Sequence, residues 1–143
     1  MPPLFERILC PIDFDENYMA ALDMAAQMAQ EGKGALYVLH VVRVPFRPSE
    51  VPAQPKVEAW ERDAEARLDE VARQHLEGKA KYHLLIKTGN PAAAIIEAER
   101  ELRPDAVVLA THGRTGLGHL LIGSVAEHVV RESSCPVVTV RRS

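Results

Sequence analysis

The alternation of short β-branched runs with longer amphipathic stretches restricts this chain's fold more than any other feature. Ile8-Leu9-Cys10-Pro11-Ile12 is a short apolar run, and Pro11 marks the neighbourhood of a strand terminus. From Glu16 to Glu31, Met19, Ala20, Leu22, Ala25, Ala26, Met28 and Ala29 recur at helical spacing, with Gly32 and Gly34 read as the stop. Ala35 to Val42 is apolar almost throughout, as a strand covered on both faces should be. Residues 45–55 hold Pro45, Pro48, Pro52 and Pro55 and are read as a mobile connection. Val57, Trp60, Ala64, Leu68, Val71, Ala72 and His75 mark a second helix ending at Gly78. Tyr82, Leu84 and Ile86 alternate with Lys81, His83 and Lys87, which suits an edge strand partly wet on one side. Asn90-Pro91 opens a third helix that runs through Ile95, Ile96, Ala98 and Leu102 to Pro104, with Asn90 as its cap. Ala106 to Ala110 is a fourth strand, Val125 to Arg131 a helix, and Pro136 to Val140 a fifth strand. Strands alternating with helices predict a parallel sheet covered on both faces, in one domain spanning residues 1–143.

Charge and cysteine usage exclude several function classes. The 20 acidic and 17 basic residues leave a formal charge of −3, without the clustered basic excess of nucleic-acid binders. Glu6, Arg7, Asp13 and Asp15 interrupt any leader-like stretch. No apolar run approaches the ~18 residues of a membrane span. Cys10 and Cys135 sit in apolar segments without metal-ligand spacing and read as reduced, packed thiols, which implies a cytoplasmic setting. His112, His119 and His128 form no metal-binding pattern either.

The chemistry points to the connection from Thr111 to Ile122, longer than the ~2–6 residues usual between a strand and a helix. It reads Thr-His-Gly-Arg-Thr-Gly-Leu-Gly-His-Leu-Leu-Ile and is followed by Gly123-Ser124. Glycines that free backbone N–H groups, ahead of a helix N-terminus, suit an anion such as phosphate. Ligands of open α/β sheets also bind beyond the carboxyl ends of the strands. Gly118-x4-Gly123-Ser124 has Walker A glycine spacing but lacks the lysine, so it is a weak match. Gly113-x2-Gly116-x-Gly118 reverses the dinucleotide-binding spacing and follows the fourth strand rather than the first.

Ala110-x2-Gly113-x9-Gly123-Ser124 resembles the Gly-x2-Gly-x9-Gly-Ser/Thr motif of ATP-binding universal stress proteins, with alanine in place of the first glycine. The segments Arg7 to Phe14, Thr88 to Pro91 and Ser134 to Val138 resemble that family's first strand, its Gly-x-Pro turn and its closing strand. The resemblance implies an adenine-nucleotide α-hydrolase-like sheet of order 3-2-1-4-5, with ATP, and with it Mg²⁺, across the loops after strands one and four. It implies contacts to nucleotide from Pro11, Ile12 and Asp13, to adenine from the backbone of Val41, and to ribose and phosphates from Ala110 and Gly113. Gly123, Ser124 and Val125 would hold the phosphates at a helix start; Arg114, by its position after Gly113 rather than by the resemblance, would add charge to them. It also implies a homodimer through the C-terminal strand and a role in nucleotide-responsive stress adaptation.

Simpler readings stand beside these. Asp13 would serve as a cap of the first helix, as would Asp15 or Asn17, and Ser124 as an N-cap of the last. The loop glycines would supply turn geometry alone. With Asp13, Arg114 and Ser124 but no evident general base, a slow ATPase is the enzymatic alternative. An interaction module that no longer binds nucleotide is the other.

Overall fold

The computed structural model describes residues 5–14, 18–44, 54–111, 115–116, 119–120 and 123–141. In chain order its elements are β1 (Arg7–Pro11), α1 (Tyr18–Glu31), β2 (Ala35–Val42), α2 (Gln54–His75), β3 (Lys81–Thr88), α3 (Pro91–Leu102) and β4 (Ala106–Thr111). Then follow β5 (Thr115–Gly116), β6 (His119–Leu120), α4 (Ser124–Glu132) and β7 (Val137–Arg141). The five long strands form one parallel sheet in the order β3-β2-β1-β4-β7, which is the order 3-2-1-4-5 expected of them.

The period of two along each strand sorts the core into two layers. Ile8, Cys10, Leu36, Val38, Ala106 and Val108 face α1 and α2, packing with Leu22, Ala25, Leu68 and Ala72. Leu9, Leu39, Val41, Val107 and Leu109 face the other way, onto Ile95, Ala98, Ala126 and Val129 of α3 and α4. Continuous apolar runs in β1, β2 and β4 are what a doubly covered sheet demands. At the edge, β3 exposes Lys81 and His83 and half-buries its remaining residues.

Two elements differ from the sequence expectation. Helix α2 begins at Gln54 and takes in Pro55, which was assigned to the proline-rich connection. A helix's first turn has no acceptors for its own N–H groups, so proline is tolerated there. The connection after β4 is not wholly loop: Thr115 pairs with Leu120 and Gly116 with His119 in a small antiparallel ribbon. Two residues separate these strands, the spacing of a tight hairpin.

Helix ends follow local chemistry, with one correction. Asn90 caps α3 as its sequence suggests, its side-chain oxygen accepting from Ala93 N at 3.0 Å. After α1, however, the left-handed residue is Lys33 at φ 54°, and neither Gly32 nor Gly34 has a positive φ. These glycines are needed for close approach instead. A Cβ on Gly32 would lie 2.6 Å from the Phe5 carbonyl oxygen, and one on Gly34 2.4 Å from the Phe5 and Glu6 carbonyl oxygens. The turn into β2 therefore packs backbone on backbone against the start of β1. On the opposite side Glu99, 3% exposed, accepts from Ser134 N at 2.7 Å and Ser134 Oγ at 2.9 Å. That ties α3 to the turn that launches β7. Burial pushes the Glu99 carboxyl up, but its hydrogen bonds with Ser134, Ser133 and Cys135 leave it below the usual range.

Candidate functional site

Proline in β1 opens the sheet. Ile12 N donates to Leu39 O of β2 at 2.8 Å, and successive N–H groups of a strand point to opposite sides, so the nitrogen of Pro11 faces β4. It carries no hydrogen to donate. Pairing between β1 and β4 is accordingly confined to Ile8–Ala106 and Leu9–Val107, while β1 stays paired with β2 through Pro11–Leu39. From β1 the chain crosses over α1 to β2, and from β4 over α4 to β7, on opposite faces. The carboxyl ends of β1 and β4 thus part at the switch point, where open α/β sheets take their ligands.

A cleft of about 240 Å³ lies there. Pro11, Ile12, Asp13, Val41, Ala110, Gly123, Ser124 and Val125, the sequence candidates within the described residues, all line it. Gly113 and Arg114 lie outside the described residues. The methyl of Ala110 packs against the α1-side core while the residue still borders the cleft, so the sheet accommodates alanine where the motif has glycine.

The walls divide by chemistry. Leu39, Val41, Ile95 and Leu109 make an apolar side. The start of α4 also borders the cleft, and its first-turn amides on Ser124, Val125 and Ala126 have no acceptor within the helix. The N-cap is Gly123, which makes no side-chain capping bond; Ser124 is the first helical residue, not the cap. Gly123 has φ −54° and ψ 156°, a backbone open to any residue, so conformation does not require glycine there. Asp13 lies five positions before Tyr18, where the described part of α1 begins.

Behind Asp13 the β1–α1 turn is braced from the α2 side. The Ile12 carbonyl oxygen lies 2.8 Å from Nδ1 of His40, which must therefore carry the hydrogen. Phe14, left-handed at φ 67°, packs its ring 4.3 Å from His40, with the Arg67 guanidinium 4.4 Å from the Phe14 ring. Burial holds the His40 imidazole below its usual pKa, and Arg67 and Arg43 add to this. The bond to Ile12 and the charge of Asp13 pull the other way.

The sequence reading did not assign Arg43 to a site and took Thr111 only as the first residue of the Thr111–Ile122 connection, yet both line the cleft. Arg43 directly follows β2 at the sheet's carboxyl edge, a position the switch-point rule would have flagged. Thr111 ends the otherwise apolar β4, and a hydroxyl in that place is a visible signal. Among the described residues no group of three or more His, Cys, Asp or Glu is placed to hold a metal, and no helix is long and apolar enough to cross a membrane.

The family model for the universal stress protein family matches residues 4–141. The chain belongs to this family. A universal stress protein of Methanocaldococcus jannaschii is 32% identical over 142 residues, covering 97% of this chain and 84% of that one. Among solved structures, the universal stress protein UspA of Lactobacillus plantarum superposes with a TM-score of 0.78 at 25% identity, over 96% of this chain and 98% of that chain. A universal stress protein in complex with cAMP has a TM-score of 0.64 at 22% identity, over 97% of this chain and 98% of that chain.

Proposed function

We infer that this universal stress protein binds an adenine nucleotide, ATP in our reading, in the cleft between β1 and β4, and that the bound state serves nucleotide-responsive stress adaptation. The observation that carries the reading is one cleft lined both by apolar residues of β2 and β4 and by the N-terminus of α4. A flat base suits the first, and an anionic phosphate suits the free amides and positive dipole end of the second. The cAMP complex of a protein with this fold supports the same ligand class. Asp13 is the one carboxylate among the described lining residues, so a Mg²⁺ held here would take most of its ligands from phosphate and water.

The role is binding rather than turnover. The sequence offers no evident general base beside the loop, so hydrolysis should stay below about one turnover per minute, far under the ~10 s⁻¹ median of enzymes. Incubation with labelled ATP followed by gel filtration checks both parts. Retained, uncleaved ATP is the expected result, and a steady-state rate above about 1 s⁻¹ that tracks the protein through purification would overturn the assignment.

Assembly is the second part of the reading. Strand β7 is a sheet edge, and its outer backbone groups are available to another strand. Antiparallel pairing of two copies about Val138 would cover them. Light scattering at tens of micromolar should give the mass of a dimer; a monomer would rule this out.

A further inference from the structure

We propose that His40 is a positioning residue of the cleft: from the opposite face of the sheet it fixes the β1–α1 turn, so that Asp13 is held ready for the ligand. His40 alternates with Leu39 and Val41, which pack toward α3 and α4, so its ring lies on the α1 and α2 side. It is not among the residues that line the cleft. Pairing between β1 and β2 ends at Pro11–Leu39, and the turn beyond it is held by other bonds. Ile12 N donates to Leu39 O at 2.8 Å, and Nδ1 of His40 donates to Ile12 O, also at 2.8 Å. The N–H and the carbonyl of Ile12 are thus both tied to β2, the second by a side chain rather than by the ladder.

The same ring fastens the other neighbour of Asp13. Phe14 packs 4.3 Å from His40 and 4.4 Å from the Arg67 guanidinium, and Tyr18, which lines the cleft, meets it edge-on at 6.1 Å. Its φ of 67° puts a bulky residue in the left-handed region, a conformation that persists where surrounding contacts over-determine it. Asp13, the one carboxylate lining the cleft among the described residues, therefore sits between two residues that His40 secures. A binding group whose backbone is already fixed loses less freedom when the ligand arrives, so its contact contributes more to affinity. A histidine that only satisfied a carbonyl would stabilise the fold without acting through Asp13, and a double-mutant cycle separates the two roles.

The proposal rests on the nucleotide reading above, and the experiment keeps the two apart. Wild type, Asp13→Ala, His40→Leu, His40→Asn and the Asp13→Ala/His40→Leu double variant are titrated calorimetrically with ATP, and each ligand-free protein is melted. Leucine fills the place of the imidazole without a donor, whereas asparagine keeps a nitrogen donor as many bonds from Cβ as Nδ1. His40→Leu should weaken ATP binding about five- to tenfold, as loss of one hydrogen bond does, and His40→Asn should stay within about threefold of wild type. In the Asp13→Ala background His40→Leu should cost less than about twofold, because the group it positions is gone. Phe14→Leu removes the aromatic ring without touching β2 and should repeat this dependence on Asp13, which decides the matter if His40→Leu does not fold. A lower melting temperature with unchanged ATP affinity would make His40 purely structural and overturn the proposal. So would an equal loss of affinity with and without Asp13, or an Asp13→Ala protein that binds ATP as wild type does. Failure of wild type to bind ATP would instead refute the nucleotide reading and take this inference with it.

Discussion

Replacing Gly123 with valine is expected to abolish the ATP-dependent rise in melting temperature while leaving a cooperatively folded protein. Ligand at one hundred times its dissociation constant should stabilise wild type by ~2.7 kcal/mol. For a domain of this size that is a rise of roughly 5–10 °C. Gly123 is the N-cap of α4 and borders the cleft, so a β-branched side chain there would stand between the ligand and the first-turn amides. Its φ of −54° and ψ of 156° suit valine, and the weaker N-cap should cost only about 1 kcal/mol of stability. Gly116→Ala, in β5 and outside the Gly-x2-Gly-x9-Gly-Ser motif, is the control and should retain most of the shift. If Gly123→Val kept the full rise, α4 would not be where the phosphates sit, and the glycine would have only a structural role.

A second large effect is expected at Gly34, on stability rather than binding. An alanine Cβ there would meet the Phe5 and Glu6 carbonyl oxygens at 2.4 Å and the Glu6 carbonyl carbon at 2.7 Å, all backbone atoms without a rotamer to yield. The same peptide region is fixed by Ala35 N donating to Glu6 O and Gly34 N donating to Ala29 O, both at 2.8 Å. Relief requires β1 to shift against β2 or α1 to lose its last turn. Gly34→Ala should therefore cost about 3 kcal/mol or more, at the upper end of overpacking effects. Gly78→Ala makes the contrast. Gly78 sits at φ +80° with nothing within 4 Å of an added Cβ, so its cost is the left-handed strain of about 1–2 kcal/mol. Denaturant melts of the two variants should rank Gly34→Ala as clearly the more damaged. Equal losses would mean that the close approach yields easily and that the turn needs glycine for some other reason.

The order of elements was legible because it depends on short-range periodicity. Ala35–Val42 has the residues of a doubly buried strand, and the structure gives that element the same bounds. Asn90-Pro91 carries its own capping chemistry, and the structure shows the bond it implies. Where an expectation depended on what packs nearby, it went astray. Gly32 and Gly34 follow the end of α1 at Glu31, as a helix stop should, but the reason glycine is needed arises from the chain entering β1 nearly thirty residues earlier, as the Phe5 contacts show. The simpler alternative for Ser124, a cap, fails because the helix starts on it and leaves Gly123 at the N-cap.

The site divides in the same way. By itself the sequence determined the alternation that makes a parallel sheet, the proline that ends β1, and a glycine-serine helix start after β4. Each is a property of neighbouring residues: backbone dihedrals, a missing N–H, an amphipathic period. The family resemblance implied that β1 lies beside β4, but only the tertiary structure decided that Pro11 turns its bare nitrogen toward that strand and that the two consequently part. It also decided that His40 holds the Ile12 carbonyl, that Arg43 reaches the cleft, and that the Thr111 hydroxyl is buried without a partner among the described residues. Burial and pairing between strands almost a hundred residues apart are set by the whole packed sheet, and no local pattern encodes them.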